Sequence, residues 1–447
     1  MTGTTAVRAA LFQTPERDRL EHRTVVVEVD AAGLIAQVHD AHTAAAADAI
    51  ANAATVVSVP DGSVLLPGLV DLHVHAPQWP QLGTGLDLPL EQWLFEHTFP
   101  LEARYADAAF ATSVWDSLVP TLLAHGTTTA VYYATVHEAA TTALGEACVR
   151  HGQRAFVGRV AMDHPEGTPE WYRDVSASAA VDASQRSIES ITNLFGNAGL
   201  VRPIITPRFI PACSDALLAG LGELAAATGE LVQTHCSESD WEHAYVLDRF
   251  GVTDSVRLAQ FGLARDHSVL AHCGHVTAAD LGVLSSIGAG VAHCPLSNSY
   301  FGDAVFPTRK ALDGGVRVGL GTDIAGGSGV GLLGQAAMAV TVSRMLEDGV
   351  DAAVARAKRG VAGSRIDAIE AFWLATCGGA DVLGIAVGLI EPGRQFDAIV
   401  VDTARSGSGL RYWPEVDSAE RLFEKIVRLA GAADITDVWV AGRKVTG

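Results

Sequence analysis

Positive charge is scarce in this chain. Its 447 residues hold 31 lysines and arginines against 51 aspartates and glutamates, a formal net charge of -20. That surplus repels a nucleic-acid backbone and an anionic membrane, and so argues against either as a partner. A small, nearly neutral substrate stays open. Paired cysteines are also lacking. The six cysteines, Cys148, Cys213, Cys236, Cys273, Cys294 and Cys377, are spread singly with no CxxC pair. So few in so long a chain exclude a disulfide scaffold and fit reduced thiols in a cytoplasmic setting. No apolar run is long enough to span a bilayer, and MTGTTAVRAALFQTPERDRL has no basic segment followed by a long apolar one. The expectation is a soluble, cytoplasmic protein.

Apolar residues are plentiful: 49% against 18% charged. Strand-like runs rich in Val, Ile and Thr recur at 69–75, 127–133, 155–162, 202–208, 231–238, 268–273, 289–295 and 316–323. Amphipathic stretches such as 214–229 lie between most of them. Apolar strands alternating with helices mean a parallel sheet covered on both faces, and eight such units fit a closed (β/α)8 TIM-like barrel. The long gap from His75 to Thr127 predicts a loop and extra helices over the barrel mouth. The chain ends read differently. Runs at 24–30, 63–68, 396–402 and 435–445 are β-type, and the last turns at Ala441-Gly442 like a hairpin. They predict a small composite β-sandwich domain built from residues 1–66 and 386–447, around a barrel of 67–385.

Chemistry-bearing residues gather at the C-terminal ends of the predicted strands, the face on which barrels place active sites. His73 and His75 end the first. As i and i+2 on a strand they look the same way, with Asp71 behind them. Two adjacent imidazoles suit a metal, and a solvated strand would carry them too. Arg208 ends the fourth strand, His235 and Glu238 the fifth, His272 the sixth, His293 the seventh and Asp323 the eighth. Isolated histidines are ordinarily surface or core residues with their bonds satisfied. His97, His137, His151, His164 and His243 are read that way. A histidine or acid at most of the strand ends is harder to dismiss. His73, His75, His235 and Asp323 form a set of three nitrogens and one carboxylate for zinc or ferrous iron, with a position open for water. Asp323 is placed to take a proton from that water, and Glu238, three residues past a ligand, suits a proton shuttle to the substrate. No lysine precedes Lys310, so the modified lysine that commonly bridges two metals in such barrels is missing and a single metal is favoured. The H-x-E and PCxxC signature of zinc nucleobase deaminases is missing as well.

VDLHVH, THCSE, LAHCGHV, VAHCPLSN and GLGTDIAGG, in that order, resemble the amidohydrolase superfamily from about residue 66 to 400. Within it, HAPQWPQLGTGLDLPLEQWLFEHTFPLEARY (75–105), ITPRF (205–209) and VGRVAMD (157–163) are similar to the guanine deaminases. The resemblance implies guanine plus water giving xanthine plus ammonia, with one zinc on His73, His75, His235 and Asp323. It implies that Glu238 shuttles protons and that His272 stands beside the attacked carbon. It gives Gln78 and Arg208 hydrogen bonds to a purine, lets Trp79 and Phe209 pack on its ring, and implies a homodimer. The chain departs from the family at Asp303-Ala304, where a small Ser/Gly turn is usual, so an acid stands near the predicted mouth. His293 falls outside the four ligands and is either a group backing them or a packed polar residue. Trp93 and Trp171 read as packing or lid residues. Two other readings stay open. One is a hydrolase of the same scaffold acting on a triazine, a pterin or an adenine-type ring. The other is a catalytically silent barrel, which the full ligand set with Glu238 and His272 disfavours.

Overall fold

The computed structural model describes residues 3–302 and 304–446. The Asp303 departure lies outside the described residues. Five strands come from the N-terminal side: β1 (Thr5–Glu16), β2 (Arg19–Val29), β3 (Ile35–Asp40), β4 (Thr55–Ser58) and β5 (Ser63–Pro67). The middle of the chain supplies β6 (Leu69–His75), β7 (Thr127–Tyr133), β8 (Arg154–Gly158), β9 (Val160–Ala161), β10 (Val201–Pro203) and β11 (Thr206–Pro207). It continues with β12 (Gln233–Cys236), β13 (Val269–His272), β14 (Gly290–His293) and β15 (Arg317–Leu320). The C-terminal side adds β16 (Ala398–Asp402), β17 (Ile435–Val440) and β18 (Arg443–Thr446).

The two chain ends share one sheet, in the order β18-β17-β16-β5-β1-β2-β3 with β4 beside β1. The seam is the antiparallel pair of β16 and β5, registered from Ala398 on Pro67 to Asp402 on Ser63. Side chains alternate along these strands as the pleat demands. Leu11, Val27, Leu65, Phe396 and Val400 form the sheet's own core. Phe12, Leu66, Ile399 and Val401 point the other way, into the large central core. The turn between β17 and β18 falls at Ala441-Gly442, both at positive φ (47° and 73°), as a tight two-residue hairpin requires.

The middle strands pair in parallel, in pieces: β10-β8-β7-β6, the short β11-β9, and β12-β13-β14-β15. The runs expected at 155–162 and 202–208 are each broken in two. Pro203 and Pro207 lack the N–H a continuous ladder needs, and Gly158 lies so close to Thr206 that an added Cβ would fall 1.8 Å from its hydroxyl. Backbone bonds link the pieces. Asp323 N donates to His73 O (2.8 Å) and His75 N to Ile324 O (2.9 Å), and Ile205 bridges Val232. Helices follow the strands. The one from Asp215 to Thr228 is capped by the Ser214 hydroxyl and ends at left-handed Gly229, close to the 214–229 expectation. The gap after His75 holds a 3-10 turn (Ala76–Gln81), helical backbone from 90 to 106 and a long helix, Ala108–Ala124. Among the described residues no helix is long and apolar enough to cross a membrane.

Candidate active site

Strand ends and the turns just after them bring six of the predicted residues to one buried corner. His73 and His75, two apart on β6, have ring centroids 4.9 Å from each other. His75 Nε2 lies 2.9 Å from His235 Nε2, beyond the reach of any local contact in sequence. Asp323 Oδ1 lies 3.1 Å from His73 Nε2 and 3.6 Å from His75 Nε2. His272 Nε2 lies 3.5 Å from Glu238 Oε1 and 4.0 Å from Asp323 Oδ2. Donors bound about 2.0–2.1 Å from one cation stand roughly 3.0–3.4 Å apart, for angles between 90° and tetrahedral. The observed spacings bracket that range. Both ring nitrogens of His73, Nδ1 of His75 and Nε2 of His272 are buried without a hydrogen-bond partner, and such groups are ordinarily paired. The corner fits a divalent cation.

Burial sets the protonation states. It pushes the pKa of His73, His75 and His235 well below that of a free imidazole, with neighbouring histidine charges adding to the effect. They are therefore neutral, as metal ligation needs. Burial, then the charge of Asp323, raises Glu238 well above the usual carboxylate range. Asp323 is raised by burial too. The supporting groups are fixed by hydrogen bonds. His235 Nδ1 donates to Arg208 O (2.5 Å), which turns Nε2 to the corner. Asn298 Oδ1 accepts from His272 Nδ1 (2.9 Å), leaving a lone pair on Nε2. The Ser297 hydroxyl donates to Asp323 Oδ2 (2.5 Å). Asp71, pushed up to about 7 by burial, accepts from Thr322 N, the Thr322 hydroxyl and His73 N, so it ties β6 to the chain after β15.

A pocket opens beside this corner. It is lined by His75, His235, Glu238 and Asp323, by Gln78, Arg208 and Phe209, and by Leu90, Trp93, Leu94, Phe301 and Gly326. Buried Arg208 is clamped by buried Glu102 through Nη1 to Oε2 (2.6 Å) and Nη2 to Oε1 (3.1 Å). Gln78 Nε2 and the Tyr172 hydroxyl donate to the same carboxylate, at 3.1 and 3.0 Å.

Residues 64–445 match the Amidohydrolase family. A probable guanine deaminase of Schizosaccharomyces pombe is 35% identical over 398 residues, 88% of this chain and 73% of its own. Guanine deaminase of Dictyostelium discoideum is 32% identical over 85% of this chain and 82% of its own. The crystal structure of guanine deaminase from C. acetobutylicum, with guanine bound in its active site, superposes with a TM-score of 0.88 at 28% identity, covering 99% of each chain. The chain belongs to the amidohydrolase family, in its guanine deaminase branch.

Not every expected residue of this amidohydrolase reaches the cavity. Trp79 does not. Successive residues of a 3-10 turn point about 120° apart, so Gln78 facing in turns Trp79 out. Its indole N–H donates to the Ser117 hydroxyl (3.1 Å) and its ring packs on the central core. Trp93, read as packing or lid, lines the cavity and lies 5.1 Å from the Phe301 ring. Trp171 is 60% exposed on the surface. His293 is buried with both ring nitrogens unpaired and lies outside the corner, beside Phe306. Burial pushes its pKa down to about 3. His97, His137, His151, His164 and His243 join none of the ligand groups among the described residues. Glu102, Tyr172, Ser297, Asn298 and Phe301 carry the site without having been expected. Ser297 and Asn298 close the VAHCPLSN motif and Glu102 lies in the 75–105 stretch, so those motifs could have drawn attention to them, whereas Tyr172 and Phe301 gave no period or spacing signal.

Proposed function

We propose that this amidohydrolase hydrolyses guanine to xanthine and ammonia, with Glu238 as proton shuttle. The observation that carries the reading is the convergence of His73, His75, His235, Asp323 and Glu238 on a cavity that also presents Arg208, Gln78 and Phe209. A zinc or ferrous ion held by His73, His75, His235 and Asp323 would lower the pKa of water and supply the nucleophile at neutral pH. Asp323 takes the proton that water releases. His272 accepts a hydrogen bond from the attacking oxygen through its free Nε2. Glu238 is kept protonated by burial, so it donates to a ring nitrogen as the carbon bearing the amine becomes tetrahedral. Charge building in the ring is thereby neutralised. Asp323 returns its proton to the amine nitrogen, ammonia leaves, and the remaining hydroxyl gives its proton to Glu238 as the carbonyl of xanthine forms. Arg208 and Gln78 hold the purine by hydrogen bonds, and Phe209 packs on it.

The architecture we infer is a (β/α)8 barrel over 67–385, closed where the backbone after β15 bonds to β6, with a composite β-sandwich domain from 1–66 and 386–447. Six unpaired cysteines, five of them buried, favour a cytoplasmic enzyme. The homodimer and one zinc per subunit rest on the family resemblance. The test is purified, zinc-loaded protein incubated with guanine and with adenine. Xanthine and ammonia from guanine are expected; equal turnover of adenine, or no xanthine, overturns the reading.

A further inference from the structure

Arg208 and Gln78 differ in what they can offer a ligand. A guanidinium only donates, whereas a free carboxamide donates or accepts depending on its orientation. Here that choice is removed. Ala325 N–H, which can only donate, is 3.1 Å from Gln78 Oε1. The Glu102 carboxylate, paired to Arg208, accepts from Gln78 Nε2 at 3.1 Å. Both neighbours demand the same orientation of the amide. Oε1 of Gln78 is turned onto the backbone, where one of its two lone pairs is used, and one hydrogen on Nε2 is left over.

The same carboxylate fixes the arginine. Glu102 is wholly buried and takes the guanidinium in a fork, and the Phe99 ring lies 4.9 Å from Arg208 Cζ. Tyr172 completes the set from a third segment of chain. Glu102 is not among the residues that line the cavity, while Arg208 and Gln78 are. Its action on a ligand therefore passes through these two.

We propose that Glu102 is a positioning residue that holds the Arg208 donors in place and commits Gln78 to donating beside them, so that the cavity selects a purine edge carrying two neighbouring acceptors. This rests on the guanine reading above and extends it. Guanine offers such an edge in O6 and N7, whereas adenine and 2,6-diaminopurine place a donating amine where O6 would be. A donor facing a donor leaves both buried and unpaired, which discriminates strongly. On guanine that edge lies away from C2, so recognition there leaves the reacting amine free to face Glu238.

The experiment compares wild type, E102Q and E102D on guanine and 2,6-diaminopurine, with melting curves and zinc content recorded for each. E102Q is isosteric, but its amide has one acceptor oxygen where the carboxylate has two, so it no longer holds Arg208 and Gln78 together. E102Q is expected to raise KM for guanine at least tenfold with a smaller change in kcat. It should also reduce the wild-type preference for guanine over 2,6-diaminopurine by at least tenfold. A folded, zinc-replete E102Q with unchanged KM and unchanged preference overturns the proposal, because a merely structural residue would move the melting curve alone. If E102Q does not fold, E102D decides. It keeps the buried charge but is one methylene too short to hold Arg208 and Gln78 together. A tenfold rise in guanine KM supports the proposal, and an unaltered KM overturns it. Wild type that fails to convert guanine would defeat the function itself. Wild type that converts it while the variants behave normally defeats only the role of Glu102.

Discussion

The two sides of the cavity are built on opposite plans. In the corner formed by His73, His75, His235, His272 and Asp323, buried ring nitrogens stand without partners, and His75 Nε2 lies 2.9 Å from His235 Nε2 with Asp323 close by. On the wall of Gln78 and Arg208, backed by Glu102 and Tyr172, hydrogen bonds and an ion pair already join every side chain to another. Unpaired buried polar atoms cost about 1–3 kcal/mol each, so the corner is complete only with something added. The wall is complete by itself. One side fits a cation, and the other is preorganised for a ring. A single pocket thus separates activation from recognition, and each can be broken alone.

Glu238→Gln should break activation most severely. Turnover is expected to fall by about 10²–10⁴, as loss of a general acid-base group does, while zinc content stays at the wild-type level. Metal analysis beside the rate measurement checks both halves. Arg208→Leu should break the wall, and its damage extends beyond binding. It strands the Glu102 carboxylate, and breaking a buried pair costs about 3–5 kcal/mol. Urea denaturation should show that loss together with the loss of guanine turnover. Adding Glu102→Leu should restore part of the stability and none of the turnover. Stripping the cation with a chelator should destabilise the corner and leave the wall intact. At a hundredfold excess over Kd a bound ion contributes about 2.7 kcal/mol, so the melting temperature should drop on chelation and recover with zinc. The smallest effect is expected for Trp79→Phe. It removes the bond to Ser117, worth about 0.5–1.5 kcal/mol, and should leave KM for guanine unchanged. A large KM rise would return Trp79 to the pocket.

How far the sequence could be read depended on period and on order. The two-residue alternation of β6 put His73 and His75 on one face, and the recurrence of apolar runs placed His235, His272 and Asp323 at strand ends. The strands at 69–75 and 127–133 fall at the expected bounds with every residue buried, although their ladder shifts register after Leu69 and again between Asp71 and Val74. Those at 155–162 and 202–208 do not, since prolines and a close backbone approach split them. In the segment after His75 the sequence named Gln78 and Trp79 together, and the 120° step of the turn separated them.

By itself, then, the order of residues determined the alternating architecture, the cation corner and the acid beside it. These follow from repeating patterns that local geometry converts directly into direction. Only the tertiary structure decided which aromatics enclose the cavity and that Glu102 holds Arg208 and Gln78. Those contacts join segments far apart in the chain through single side chains, and a single pairing leaves no period for a sequence to display.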